Sequence, residues 1–341
     1  YYPFLKGIQE SLRTKGSNSP FIFWADKIGF DKMFQEIVTP LCSNYDPKHF
    51  VYLQRDFEKM DTTVGFAQTA SSFIPRLKAA LGLNDEETLK LSDLLYFGAT
   101  CPIATPDGMY TGYRGKPSGA NTTNGDETCC NEDYDAIFIK LLTRYCDQRF
   151  IRFKVLYSGG NGDDGTTIFY LENLRNYWKF RDLIAKAADE AAKICGYRVQ
   201  GNKWHISREY GLYCQRMITS INNKIIDMYP AALILNAIVN PEQEYSKSDW
   251  DKDYRDLTII EKLDNGKNLP YFHKLIDFVD NGMKFRLLGR SETETRRILS
   301  KYERYRALRD DPFNYQNPEI ANDITKSPTI QYLLKKRHLK I

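Results

Sequence analysis

Apolar and polar positions alternate with a period of two in some stretches and of about 3.6 in others, which predicts a sheet covered by helices. Phe50 to Phe57 (FVYLQRDF) is rich in β-branched and aromatic residues and follows the Asp46-Pro47 turn signal, so it predicts a strand that ends beside a carboxylate. Ile151 to Tyr157 (IRFKVLY) and Thr166 to Glu172 (TTIFYLE) predict two more strands, joined by Ser158-Gly159-Gly160-Asn161-Gly162-Asp163-Asp164-Gly165. That is a hairpin with an acidic tip, which the glycines ahead of Asn161 are expected to lengthen. Apolar residues at three- and four-residue spacing predict helices over Leu174 to Cys195 and Asp126 to Gln148, neither broken by a proline. In the second, Ile137, Phe138, Leu141 and Leu142 are expected to face inward. From about Ile218 the strand signals fade and charge-laced helical sequence takes over, which sets the main expected boundary.

Composition adds limits. With 341 residues, 42% hydrophobic and 27% charged, the chain has the balance of a folded protein of about two domains. The net charge of +4 is too small to announce a polyanion partner, so one must be met by a local basic surface. Apolar runs such as Phe21 to Ala25 and Ala231 to Leu235 fall far short of the roughly 20 residues of a membrane helix. Tyr1 to Gly16 lacks the order of a signal peptide, and a chain starting at Tyr1 reads as a piece of a longer one. Seven cysteines without any C-x-x-C indicate neither a disulfide framework nor a zinc module and suit a reducing compartment. Four scattered histidines form no metal motif.

Three polar constellations remain. Asp56-x4-Asp61 lies where a strand runs into a turn, although a capped strand end has the same look. Gly162-Asp163-Asp164 places adjacent carboxylates on a tight turn; they repel unless a cation offsets them, which suits a hard metal ion, while an Asp-Gly turn needs no metal at all. Ser118 to Gly125 is a small polar turn feeding the helix that begins near Asp126, suited to a sugar-phosphate ligand or to a plain helix cap.

Taken together and in this order, the three resemble motifs A (Asp56-x4-Asp61), B (Ser118-Gly119-x3-Thr123) and C (Gly162-Asp163-Asp164) of viral RNA-dependent RNA polymerases. The pattern is similar to those of picobirnaviruses and partitiviruses. The resemblance implies an α+β right-hand polymerase: an antiparallel palm sheet backed by helices, partial fingers and a helical thumb. Its parts would be fingers with a loose motif F at 1–48, motif A at 49–66, a fingers insertion at 67–112, motifs B to E at 113–218 and the thumb at 219–341. It also implies template-directed RNA synthesis that replicates and transcribes a viral genome.

By the same resemblance, Asp56, Asp163 and Asp164 bind two Mg2+ or Mn2+ ions, and Lys203 is the general acid for the leaving pyrophosphate. Asp61, Ser118, Gly119, Thr123 and Asn124 read the nucleotide, Arg13 and Lys15 steer the triphosphate, and Tyr213 and Arg216 grip the primer. One departure stands out: the family's asparagine four residues after the motif B threonine is Glu127 here, so Asn124 is expected to supply the amide. Arg286 to Arg309 could track duplex RNA, or could be an ion-paired helix face given its interspersed glutamates. Expected partners are template and nascent RNA, ribonucleoside triphosphates and viral capsid protein, in the host cytoplasm within a virion or replication particle. A reverse transcriptase and a non-catalytic, palm-like RNA-binding protein are the alternatives.

Overall fold

A computed structural model describes residues 34–112, 115, 123–199, 204–222, 224–240, 252–282, 286–289, 291–302 and 324–339. Among these, the chain forms two compact units, one from Gln35–Cys214 and Ser220–Ile225, the other from Gln215–Thr219 and Ile226–Ile341. No described helix is long and apolar enough to cross a membrane.

In the first unit, β1 (Phe50–Arg55) is followed by the helices α1 (Ile74–Leu81) and α2 (Asp85–Thr100) and the small hairpin of β2 (Ile103–Thr105) and β3 (Gly108–Tyr110). Asn84 caps α2 through a capping box with Glu87, and Asp85, Glu86 and Glu87 in its first turn suit the positive end of the helix dipole. Then come α3 (Thr123–Asp147), β4 (Phe153–Asn161), β5 (Asp164–Leu171), α4 (Tyr177–Cys195), β6 (His205–Ser207) and β7 (Tyr210–Tyr213). The main sheet has the order β4-β5-β1-β6, with antiparallel pairing throughout.

One face of this sheet packs on α3 and α4. Val51 and Leu53 of β1 and Phe169 and Leu171 of β5 meet Tyr134, Phe138 and Leu142 of α3 and Phe180, Ile184, Ala187, Ala188, Ala191 and Ala192 of α4, all buried. The alanines let α4 approach closely enough for the Tyr134 hydroxyl to donate to Ala188 O at 3.1 Å. Phe169 and Phe180 meet edge to face, with ring centroids 5.4 Å apart.

Two expectations are corrected here. The stretch Ser158 to Asn161 does not lengthen the hairpin tip: it is paired strand, Ser158 against Thr167 and Asn161 against Asp164, with an irregularity between Val155 and Tyr157. Glycine removes side chains but not backbone donors and acceptors, so a partner strand can hold it in the ladder. Nor do strands end near residue 218, because β8 (Arg216–Ile221) and β9 (Lys224–Met228) follow, and β7-β8-β9 form a second sheet.

Beyond β9, the described residues of the second unit form the helices α5 (Ala231–Val239), α6 (Lys252–Asp264), α7 (Phe272–Gly282), α8 (Glu292–Ser300) and α9 (Pro328–Arg337). Its own core includes Leu257, Ile260, Leu263, Ile276, Leu287, Ile298, Ile330 and Leu333.

Candidate active site

Strand parity decides which way each side chain points. Val51 and Leu53 face the helices, and Arg55 shares their side, fully buried and ion-paired to Asp135 of α3. Asp56 has the opposite parity. On β5, Phe169 and Leu171 face the helices, and so does Gly165, which pairs with Arg55; Asp164 therefore turns the other way. Continuing that register one step past Arg55 and Gly165 sets Asp56 opposite Asp164. The β4–β5 connection is only Gly162-Asp163, between the paired Asn161 and Asp164. Gly162 has φ +61° and Asp163 does not share the positive sign, the pattern of a turn with glycine at its first central position. Asp56, Asp163 and Asp164 thus lie at one end of the sheet, brought there by pairing across more than a hundred residues.

The first turns of α3 close over this tip. A Cβ placed on Gly162 would lie 3.0 Å from Asn124 Nδ2 and 3.6 Å from Glu127 Oε2, so both side chains reach the turn. Thr128 Oγ1 accepts from Gly162 N at 2.7 Å, and Asn131 Nδ2 donates to Gly162 O at 3.1 Å and Asp164 O at 3.0 Å. Behind these, Asp126 is buried and accepts from Thr69 Oγ1 at 2.5 Å. Glu127, four residues after Thr123, is thus also at the tip.

Asp61 lies half-buried in a short helix, Met60–Thr63, just after β1. Gly115 runs against it so closely that a Cβ there would be 2.5 Å from Thr62 Cα. This is a position where only glycine fits. Thr123 opens α3 and is buried. Arg13, Lys15, Ser118, Gly119 and Lys203 lie outside the described residues.

Two crystal structures resemble this arrangement. The RNA-dependent RNA polymerase of a human picobirnavirus superposes with a TM-score of 0.65 at 18% identity, covering 92% of this chain and 55% of that one. An insertion-loop deletion mutant of a human picobirnavirus polymerase gives 0.58 at 18%, covering 91% and 53%. The fold is that of a viral RNA-dependent RNA polymerase. This chain spans about half the length of those polymerase structures. No family model and no curated protein matches the sequence.

Within this polymerase fold, Tyr213 and Arg216, expected to grip the primer, are both buried. Tyr213 is 1% exposed, and burial holds its phenol well above the ordinary value, with the nearby Tyr157, Cys214 and Asp164 adding to the rise. Arg216 is also buried, in an ion pair with Asp227, whose Oδ1 and backbone oxygen also accept from Asn268. Side chains so enclosed shape their strands from within. The neighbouring Cys214, at φ +46°, does reach the tip: Asn161 Nδ2 lies 4.0 Å from its sulfur, and burial followed by the Asp164 carboxylate pushes the thiol well above its usual range.

The three carboxylates at the tip are hard oxygen donors, which suit Mg2+ or Mn2+. Among the described residues no three His, Cys, Asp or Glu side chains gather closely enough to hold an ion by themselves.

Arg55 and Asp135 escape sequence reasoning. Burial pushes the Arg55 guanidinium down to about 10, and its Nε and Nη2 lie buried without hydrogen-bond partners beside Gly165. Nothing in the sequence marks this arginine, beside Asp56, as an interior cation, since arginine is ordinarily exposed.

Proposed function

We propose that the chain carries out template-directed RNA synthesis by nucleotidyl transfer, replicating and transcribing a viral RNA genome. The observation that carries this is the β1–β5 register, whose last pair, Arg55 with Gly165, is followed by Asp56 on one strand and preceded by Asp164 on the other, beside the two-residue turn that presents Asp163. In right-hand terms, the four-stranded sheet with α3 and α4 serves as palm, 67–112 as the fingers insertion and 219–341 as thumb.

In this reading, Asp56 and Asp163 would hold two divalent ions, with Asp164 in support. When bound, such ions lower the pKa of an attacking hydroxyl and neutralise a leaving pyrophosphate. Asp61 accepts a hydrogen bond from the ribose 2′-hydroxyl, the group that distinguishes RNA from DNA. Asn124, and Ser118 and Thr123 with it, orient the same sugar. Lys203 returns a proton to the pyrophosphate. The partners are template and product RNA and ribonucleoside triphosphates. The described part of the arginine-rich segment is engaged within its own unit, Arg286 with Asp280 and Arg297 with Asp253, so it does not add to the case for a duplex track.

Primer extension on an RNA template tests the proposal. Asp56→Asn and Asp163→Asn are each expected to lower incorporation by about a hundredfold or more, as loss of charge stabilisation at a reacting centre does. Chelation should abolish it. Incorporation indifferent to both substitutions would overturn the assignment, and a preference for deoxyribonucleotides would replace it with reverse transcription.

A further inference from the structure

The tip of a two-residue hairpin usually meets solvent, yet here Gly162 is buried and every described polar contact to its backbone comes from one helix. We propose that Thr128 and Asn131 are positioning residues that lock the turn presenting Asp163. This rests on the polymerase reading above.

The donors are all matched, while Asn131 Oδ1 lies buried with no hydrogen-bond partner among the described residues. Thr128 Oγ1 donates its single hydrogen to Asn124 O at 2.6 Å, one helical turn back, which leaves a lone pair for the Gly162 N–H at 2.7 Å. Asn131 Nδ2 has two hydrogens and two acceptors, Gly162 O at 3.1 Å and Asp164 O at 3.0 Å. The carbonyls on either side of Asp163 are thereby tied to one amide group, which fixes the direction of the Asp163 Cα–Cβ bond without touching its carboxylate.

The same helix shows that this polarity is local. Residues 124, 128, 131, 135, 138 and 142 share one face; Phe138 and Leu142 pack on the core, while Thr128 and Asn131, also 0% exposed, direct polar groups to the tip. Burying an amide costs free energy unless it is hydrogen-bonded, so an apolar face would hold the sheet as well. What polar groups add is a defined position for the turn.

The test compares Thr128→Val, Thr128→Ser and Asn131→Leu with wild type, measuring kcat, nucleotide KM, half-saturating Mg2+, RNA affinity and amide exchange over 162–164. Thr128→Val and Asn131→Leu should lower kcat by about 10- to 100-fold, the scale of a small misplacement of a reacting group, with RNA affinity unchanged. They should also raise half-saturating Mg2+ and speed exchange at Gly162. Thr128→Ser keeps the hydroxyl and should recover most of the loss. Should Asn131→Leu fail to fold, the Val and Ser pair at 128 decides. Synthesis that depends on Asp163 but is unmoved by Thr128→Val overturns the lock alone; equal losses in Val and Ser do the same. Synthesis that survives Asp163→Asn overturns the polymerase site and the lock with it.

Discussion

Arg55 shows how much one buried cation can demand of its surroundings. Its pairing with Asp135 occupies one nitrogen, while Gly165, directly across the ladder, leaves the space the guanidinium needs: a Cβ there would stand 2.8 Å from Nε. Asp135→Asn leaves the charge buried without its counter-ion and is expected to cost about 3–5 kcal/mol in urea unfolding. Gly165→Ala should cost about 1–3 kcal/mol, because the guanidinium is pinned and cannot yield. If either variant unfolds like wild type, the arginine is not held as described. At this scale the carboxylates were legible and their supports were not. Two aspartates flanking a turn are visible as a motif, whereas a buried arginine and a surface arginine are the same letter.

At the scale of elements, periodicity carried most of the information. The helix expected over Asp126 to Gln148 is observed at Thr123–Asp147 and that over Leu174 to Cys195 at Tyr177–Cys195, after a short 3-10 turn at Leu174–Asn176. Long apolar stripes survive any tertiary context that buries one face. The β4–β5 turn is shorter than its glycines suggest, since glycine signals turns from sequence alone but here sits in a ladder. The run of alanines in α4 has a measurable role: Ala191→Leu must overfill the core in which α4 is buried and is expected to destabilise by about 1–3 kcal/mol, read as a lower thermal midpoint. An unchanged midpoint would mean that the contact has slack.

Each unit of the whole molecule has its own core, and the second contains a buried acid, Asp256, that accepts from Leu288 N at 3.1 Å. Burial raises this carboxyl from 3.8 to about 6. Between those values the folded state binds more protons than the unfolded one, so this group makes stability fall as pH rises from about 4 to about 6. Asp256→Asn keeps an acceptor for Leu288 and should therefore be more stable than wild type at pH 7, by at most about 3 kcal/mol, with the advantage gone below about pH 4. Amide exchange should place that gain in α6 and α8 and leave β1, α3 and β5 unchanged; a gain spread over both sets would mean the two cores do not act separately. By itself, the sequence determined the elements with long periodic patterns and the identities of the three carboxylates, because periodicity and residue chemistry are local. Only the tertiary structure decided that Asp56 and Asp164 come to the same end of the sheet, that α3 meets the turn with Asn124, Glu127, Thr128 and Asn131, and that Tyr213 and Arg216 turn inward. Strand register and side-chain burial arise from contacts between distant segments, and no single stretch of sequence contains both partners.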